Sequence, residues 1–275
     1  MDLKTIKKNG VGVLRRYLPN LFLHLDVSDI ENFIEKGYSH SLTLTEGTPL
    51  NNFLGLFLSL VMSSVGQGSV IIIREMEIFN YLLGEFHRIV GENRNFKNLL
   101  QGNINDFKQN NFLNTLSEVA ALLELSKSYN FLNYEYEMPN GKSIDFELEH
   151  PATGKILLID VVSLYFDPTR YENKKGFRRL INYRIKTKYY SKTKGLTSQQ
   201  KKNVYIFPVF HDISGSHEET QKILRANKKF LLGIKSRKCF FLKNNAVKIH
   251  FFVNLNFQKY NLVTAEEYFK LLPKK

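Results

Sequence analysis

A run of apolar residues in the middle of the chain constrains the fold more than any other feature. Between residues 156 and 164, every residue is apolar except Asp160 and Ser163. A segment this short and this apolar is typical of a β-strand buried on both faces, because a strand with one wet face alternates apolar and polar residues. Turn-forming residues at 151–154 come directly before it and predict a hairpin with the preceding strand.

The segments on either side of this strand predict a mixed sheet flanked by helices, which is an α/β fold of the α+β type. We expect these elements to form one domain over residues 109–275. Apolar spacing and turn residues place them as follows: helix 114–128, strands 134–138, 143–150 and 155–164, helix 173–190, strand 203–210, helix 218–232, and strands 238–242 and 247–253.

Residues 1–108 are expected to form a helical N-terminal region. An uncharged stretch, 49–73, is long enough to cross a bilayer. Its asparagine, serine and glutamine residues instead favour a buried helix, a break at 66–68 and a short apolar run. We therefore expect no membrane contact, no secretory leader and a cytoplasmic protein. The single cysteine, Cys239, excludes an intramolecular disulfide and a cysteine-rich zinc site.

Positive charge is concentrated in the second half of the chain. The net charge is +13, and residues 174–202 hold eleven lysines and arginines but no acidic residue. Aromatic residues are interleaved with them, which is typical of a surface that binds a polyanion such as nucleic acid. A solvated basic helix is the alternative. The candidate nucleic-acid contacts are Lys174, Lys175, Arg178, Arg179, Lys186, Lys192 and Lys194.

Three acidic residues stand where acidic residues are uncommon. Asp160 interrupts the apolar strand, and a buried carboxylate needs a hydrogen bond, a counter-charge or a metal ion. If the preceding turn makes His150 face Lys155, then Asp145 faces Asp160, and two facing carboxylates repel unless a proton or cation lies between them. Glu118 lies beside an apolar helix face. The alternatives are a structural Asp160, a solvent-facing Asp145 and a Glu118 in the first turn of its helix.

The order of these residues resembles the PD-(D/E)XK nuclease superfamily, which includes many restriction endonucleases, resolvases and repair nucleases. The resemblance covers about residues 111–210. It rests on Glu118 on a helix, Asp145-Phe146 on a strand, the strand ending Ile159-Asp160-Val161-Val162, and the basic helix that follows.

The resemblance implies a restriction-endonuclease-like core with a metal site. Asp145 and Asp160 would hold Mg²⁺ or Mn²⁺, and the backbone carbonyl of Val161 would add another oxygen ligand. Glu118 would support or complete the metal shell. The implied reaction is attack of a metal-activated water on a phosphodiester.

The chain departs from the family pattern at two positions. Ile144 stands where the family often has a proline. Val162 stands where the family has a lysine that stabilises the transition state or helps to generate hydroxide. On the basic helix, Arg184 and Lys188 share the side that carries the apolar residues, so both are candidates for a replacement cation. The alternative is that they reach solvent from the helix edge.

The sequence therefore predicts a metal-dependent endonuclease, a hydrolase that acts on nucleic acid, with DNA favoured over RNA. The resemblance suggests a defence, restriction or mobile-element setting. One alternative is a nuclease-like fold that binds nucleic acid without cutting it, which Val162 favours; another is an unrelated globular protein. The helical region 1–108 is expected to provide a homodimer contact, a substrate contact or a partner-protein contact.

Overall fold

Helices form the first part of the chain, and a mixed sheet with flanking helices forms the second. A computed structural model describes residues 2–43, 52–64, 70–107, 111–165, 174–211, 217–232, 250–255, 259–264 and 270, with Lys174 and Lys175 described by their backbone only. The contacts divide the chain into two units, Met1–Val119 with Asn256–Lys259 and Ala120–Leu255 with Tyr260–Lys275. This division lies inside a helix, later in the chain than the boundary at 108/109 expected from the sequence.

The first unit is built from helices. They are α1 (Leu3–Tyr17), α2 (Val27–Ser41), α3 (Phe53–Ser64), α4 (Val70–Val90), α5 (Arg94–Ile104) and the start of α6 (Asn111–Leu125), with a 3-10 turn at Pro19–Leu23. Within the uncharged stretch 49–73, α3 covers the first apolar part and α4 begins in the last, while 65–69 lie outside the described residues. Among the described helices, none combines the length and apolar character that a membrane crossing requires.

Phenylalanine rings fill the centre of the first unit. Phe33, Phe53 and Phe112 come from α2, α3 and α6 and are at most 2% exposed. The ring centres of Phe33 and Phe53 are 5.2 Å apart, and those of Phe53 and Phe112 are 5.0 Å apart, within the range of favourable aromatic pairs. Gly37 allows α2 to approach α3, because a Cβ atom there would lie 2.7 Å from Leu54 Cδ1. The helical region thus has a core of its own.

Four strands form the first part of the sheet in the second unit. They are β1 (Asn130–Glu137), β2 (Ser143–Glu149), β3 (Ile156–Tyr165) and β4 (Val204–His211). β1, β2 and β3 pair in antiparallel fashion, and β3 pairs with β4 in parallel. The facing pairs of β2 and β3 run from Phe146–Ile159 to Glu149–Ile156. This confirms the hairpin register predicted from the turn at 151–154, where Gly154 has a φ of +62° that favours glycine.

Helix α7 (Lys174–Thr193) makes the crossover that the parallel strands β3 and β4 require. It packs on both strands, and its apolar residues Phe177, Ile181 and Ile185 are buried. The helix continues past the predicted end at 190 and stops before Gly195, whose φ of +88° ends helices. The β1–β2 turn contacts this end of α7, because Asn140 Nδ2 donates hydrogen bonds of 2.8 Å to the carbonyl oxygens of both Lys192 and Lys194.

The remaining described elements extend the sheet beyond β4. Helices α8 (Ser198–Lys201), α9 (His217–Ala226) and α10 (Lys228–Leu232) are followed by strands β5 (His250–Leu255) and β6 (Lys259–Thr264). β5 pairs with β4 in parallel. The predicted helix 218–232 is divided at Asn227, β6 was not predicted, and the predicted strand 238–242 lies outside the described residues. A helical N-terminal region followed by a mixed sheet flanked by helices confirms the predicted α+β class.

Candidate functional site

A fully buried aspartate lies in the central strand of the second unit. Asp160 is in the middle of β3 and has 0% exposure, and Ile159 and Val161 beside it are also buried. β3 has β2 on one side and β4 on the other. Both carboxylate oxygens of Asp160 are buried, and neither accepts a hydrogen bond of good geometry from a described residue. A carboxylate in such a position requires positive charge close by.

Two lysines of α7 supply that charge. Lys188 Nζ lies 3.1 Å from Asp160 Oδ2, and Lys192 Nζ lies 3.0 Å from Asp160 Oδ1. Both are ion-pair distances, at which opposite charges attract each other strongly in a buried setting. The two lysines are four residues apart, which places them on one face of the helix, one turn from each other. Together they tie α7 to β3 through one buried carboxylate.

The two lysines differ in their exposure. Lys192 Nζ also donates a hydrogen bond of 2.7 Å to the carbonyl oxygen of Ser143, at the start of β2, and the Lys192 side chain is 18% exposed. The Lys188 side chain is 35% exposed. Lys192 is therefore anchored to two strands, whereas Lys188 presents about a third of its side chain to solvent.

Asp145 binds the backbone where β2 and β3 cease to pair. The last facing pair of the two strands is Phe146–Ile159. One residue further along β2, Asp145 Oδ2 accepts a hydrogen bond of 2.6 Å from the Val161 N–H. The Asp145 carboxylate thus accepts the hydrogen bond that a backbone carbonyl oxygen of β2 would accept if the two strands continued to pair. Asp145 is 5% exposed, so the structure brings it, buried, to the segment that carries Asp160. That the two carboxylates face each other stays a prediction.

Asp145 and Asp160 offer carboxylate oxygens to a cation in this part of the second unit. Oxygen donors of this kind suit a hard divalent ion such as Mg²⁺. In the part of the chain that the structure describes, no group of three or more His, Cys, Asp and Glu side chains is placed to hold a metal ion. The formal charges of Asp145, Asp160, Lys188 and Lys192 sum to zero.

Glu118 lies in the first unit, in the interior of α6. Because α6 begins at Asn111, the alternative that Glu118 is a first-turn acid is wrong. The residue is half-buried and stands between the fully buried Ser117 and Val119. Its support of a metal shell, and the carbonyl ligand expected from Val161, stay predictions.

The two candidates for a replacement cation lie in different surroundings. Lys188 is the one that reaches Asp160. Arg184 is exposed, and its Nη2 atom lies 3.5 Å from the carbonyl oxygen of Ser163, three residues beyond Asp160 on β3. Arg184 therefore contacts the strand backbone next to the site.

Lys192 shows what the sequence reasoning missed. The sequence predicts Lys192 as a nucleic-acid contact, whereas the structure places its ammonium group against Asp160. The predicted helix ended at 190, whereas α7 continues to Thr193, which puts Lys192 one turn beyond Lys188 on the same face. The four-residue spacing between the two lysines was the signal that would have found it.

The other predicted nucleic-acid contacts have varied surroundings. Arg178 Nε donates a hydrogen bond of 3.1 Å to Asn227 Oδ1, and its guanidinium carbon lies 5.3 Å from the centre of the Phe230 ring. The side chains of Lys174 and Lys175 lie outside the described residues. The exposed members of the group are Arg178, Arg179, Lys186 and Lys194.

Comparison with known proteins adds no relative to this description. The chain matches no protein-family model, and no curated protein or solved structure is significantly similar to it.

Proposed function

We propose that the second unit is a divalent-cation-dependent nuclease whose site is formed by Asp145, Asp160, Lys188 and Lys192. The observation that carries this proposal is the fully buried Asp160 with two ammonium groups 3.0 and 3.1 Å away. Hydrolysis of a phosphodiester needs carboxylates that hold a cation and positive groups that stabilise charge on the phosphoryl oxygens. This site combines both kinds of group.

In this proposal Asp145 and Asp160 would hold the divalent cation. Both oxygens of Asp160 are buried and lie 3.0 and 3.1 Å from ammonium groups that a bound cation would displace, and Asp145 binds the backbone of Val161, the residue after Asp160. Proteins commonly hold Mg²⁺ by one or two carboxylates, with water and substrate oxygens completing the shell. When bound, such an ion supplies a water of lowered pKa and stabilises charge on the phosphoryl group.

We assign to Lys188 the role of the lysine that the PD-(D/E)XK family has at the position of Val162. Val162 is apolar and buried, and it contributes no charge. Lys188 faces Asp160 and keeps 35% of its side chain exposed, so its ammonium group can approach a phosphate that arrives from solvent. Lys192, held by Asp160 and by the Ser143 carbonyl, positions the carboxylate. In this proposal the ammonium group that the PD-(D/E)XK family carries on the strand is supplied by α7 instead.

Charge supports nucleic acid as the substrate. The chain carries a net charge of +13, and residues 174–202, which include α7, contain no acidic residue. A polyanion gains affinity from each phosphate that a lysine or arginine neutralises, because condensed counterions are released. We favour DNA over RNA, as the family resemblance does.

A cleavage assay with matched variants tests the proposal. Purified full chain is incubated with supercoiled plasmid, linear duplex and RNA, each with chelator, Mg²⁺ or Mn²⁺. We expect cleavage only with a divalent ion, abolished in Asp160→Asn and Asp145→Asn while binding is retained, because Asn keeps the shape and loses the charge. Glu137→Gln, which alters an exposed acid of β1, is the control. Cleavage by Asp160→Asn at the wild-type rate would place the active site elsewhere.

A nucleic-acid-binding protein without cleavage is the second candidate. It is favoured by the lysines themselves, since Lys188 and Lys192 already balance the charges of Asp145 and Asp160 without any added ion. Buried ion pairs of this kind also occur as purely structural features. Binding of nucleic acid with no cleavage under Mg²⁺ or Mn²⁺ would make this the function of the second unit.

A further inference from the structure

The side of α7 turned away from Lys188 carries exposed aromatic and basic residues. At roughly 100° per residue, Arg179, Tyr183, Lys186 and Tyr190 lie about 160–220° around the helix from Lys188; we call these four residues the outer face of α7. Tyr183 is 64% exposed and Tyr190 is 51% exposed. Arg179 and Lys186 are exposed as well. Two exposed rings on the solvent side of one helix offer flat surfaces on which bases can stack.

Rings and cations alternate along this face. Arg179, Tyr183, Lys186 and Tyr190 follow one another at intervals of three or four residues, so each lies about one turn beyond the last. The two tyrosines are separated by about 10.5 Å along the axis. Lys186 Nζ lies 5.8 Å from the centre of the Tyr190 ring, which places a positive charge beside an exposed aromatic surface.

We propose that the outer face of α7 binds single-stranded nucleic acid. Bases stack on Tyr183 and Tyr190, and phosphates contact Arg179 and Lys186. A single strand presents unstacked bases as well as phosphates, which is the combination that exposed rings and cations recognise together. A duplex keeps its bases stacked inside and would use the cations alone. This inference rests on the proposed function for the nature of the ligand, but it does not depend on cleavage.

Binding measurements with tyrosine variants test the inference. Fluorescence anisotropy is followed with a labelled deoxythymidine oligomer of about 15 nucleotides, a uridine oligomer of equal length and a duplex, all with chelator present. Tyr183→Leu and Tyr190→Leu should each weaken single-strand binding by roughly 5- to 150-fold, the range that one stacked base contributes. Duplex affinity should not change. Tyr183→Phe and Tyr190→Phe should retain binding because the ring remains.

Two further comparisons separate stacking from charge. Tyr81→Leu, which removes an equally exposed tyrosine (59%) from α4 in the first unit, should leave affinity unchanged. The slope of log affinity against log salt should stay constant in the tyrosine variants. In Arg179→Ala or Lys186→Ala it should fall by about 0.7 for each lost contact with a single-strand phosphate.

The outcomes distinguish this inference from the proposed nuclease. Three results would overturn the inference without bearing on cleavage. They are no binding of the DNA or the RNA oligomer by the wild type, an equal loss of affinity for single strand and duplex in the leucine variants, and unchanged single-strand affinity in both leucine variants. Tyrosine-dependent binding by a protein that cleaves no nucleic acid would support the inference and refute the nuclease. Tyrosine-dependent binding of the DNA oligomer, the RNA oligomer or both supports the inference and identifies the sugar that the face accepts.

Discussion

A buried carboxylate is stable only when nearby groups replace the hydration that it has lost. The two aspartates of the candidate site obtain this replacement in different ways. Asp160 has the ammonium groups of Lys188 and Lys192, whereas Asp145 accepts the backbone N–H of Val161. Substitution of Lys188 or Lys192 therefore removes positive charge from beside Asp160 and leaves the hydrogen bond of Asp145 in place.

We expect Lys188→Ala and Lys192→Ala to have different effects. Lys188→Ala should lower kcat by about 100-fold or more, with KM little changed, because it removes charge from the transition state. Lys192→Ala should lower the free energy of unfolding by about 1–3 kcal/mol, below the value for a fully buried pair because Lys192 is partly exposed. Steady-state cleavage and urea denaturation measure the two effects.

The control for this pair is Lys142→Ala, which alters an exposed lysine of the β1–β2 turn and should change neither quantity. A Lys192→Ala protein of wild-type stability with a hundredfold loss of kcat would contradict the division of roles between the two lysines.

Residue spacing predicted the register of β2 and β3. A short turn sets the register of a hairpin, and a register once set decides which side chains face each other; this is why the sequence predicts that Asp145 faces Asp160. Lys192 was not assigned despite its four-residue spacing from Lys188, because the sequence gives no sign of where α7 ends. That end is stabilised by Asn140, which is more than fifty residues away in the chain. Local sequence patterns do not predict contacts between residues so far apart.

At the scale of elements, the β1–β2 turn stabilises the end of α7. The last carbonyl groups of a helix lack partners within the helix, and Asn140 Nδ2 donates to two carbonyl oxygens there, those of Lys192 and Lys194. The helix segment that carries Lys192 is therefore attached to the hairpin that carries Asp145.

Asn140→Ala should lower the free energy of unfolding by about 1–3 kcal/mol, since two hydrogen bonds are lost at about 0.5–1.5 kcal/mol each. Urea denaturation of the full chain measures this. Asn182→Ala is the matched control, because Asn182 is an exposed asparagine of α7 and alanine is favoured in a helix. Equal stability of the two variants would show that the turn does not stabilise the helix end.

Elements with strong local patterns were predicted well, and those that depend on distant contacts were not. β3 follows from its own apolar run. The predicted helix 218–232 is divided at Asn227, which is fully buried and joined to Arg178 of α7 and to the carbonyl oxygen of Ile223. A buried polar residue needs such partners, and they cannot be predicted from the residues next to it in the sequence.

At the scale of the whole molecule, the two units differ in the groups that they bury. The second unit buries the charges of the candidate site, whereas the first contains a buried histidine, His24, which is 7% exposed. Its Nε2 atom lies 3.1 Å from the carbonyl oxygen of Leu83, and its ring lies edge-on to His87 at 5.2 Å. Burial lowers the pKa of His24 below its ordinary value, the Leu83 carbonyl opposes this shift, and the charge of His87 adds to it.

The lowered pKa of His24 predicts that the first unit loses stability in mild acid. The unfolded chain binds a proton at His24 near the ordinary value of 6.5, whereas the folded chain binds it only at lower pH. Stability is therefore complete above that value and falls as the pH drops towards the folded pKa. Thermal unfolding at about pH 7.5 and about pH 5.5, on either side of the ordinary histidine value, should show a smaller decrease in Tm for His24→Gln than for wild type.

His40→Gln, also in the first unit, is the control for this prediction and should show the same decrease in Tm as wild type. An identical decrease in Tm for wild type and His24→Gln would mean that other groups cause the acid sensitivity.

The class of the whole fold was predictable, whereas the expected boundary at 108/109 stays a prediction. Helical spacing before residue 108 and the strand pattern after 130 indicated two regions. The contacts divide them between Val119 and Ala120, inside α6, which is one uninterrupted helix. A continuous helix gives no compositional sign of where its packing partners change.

The order of the strands also has a consequence for how the second unit assembles in time. β1, β2 and β3 are joined by short turns, whereas β3 pairs with β4 only after α7 has crossed between them. Contacts between near neighbours in sequence form before those that close long loops, so we expect Asp145 and Asp160 to meet before Lys188 and Lys192 arrive. Until then the two carboxylates repel each other. Asp160→Asn should therefore refold faster than wild type in stopped-flow experiments; an unchanged or slower rate would mean that α7 docks before the hairpin closes.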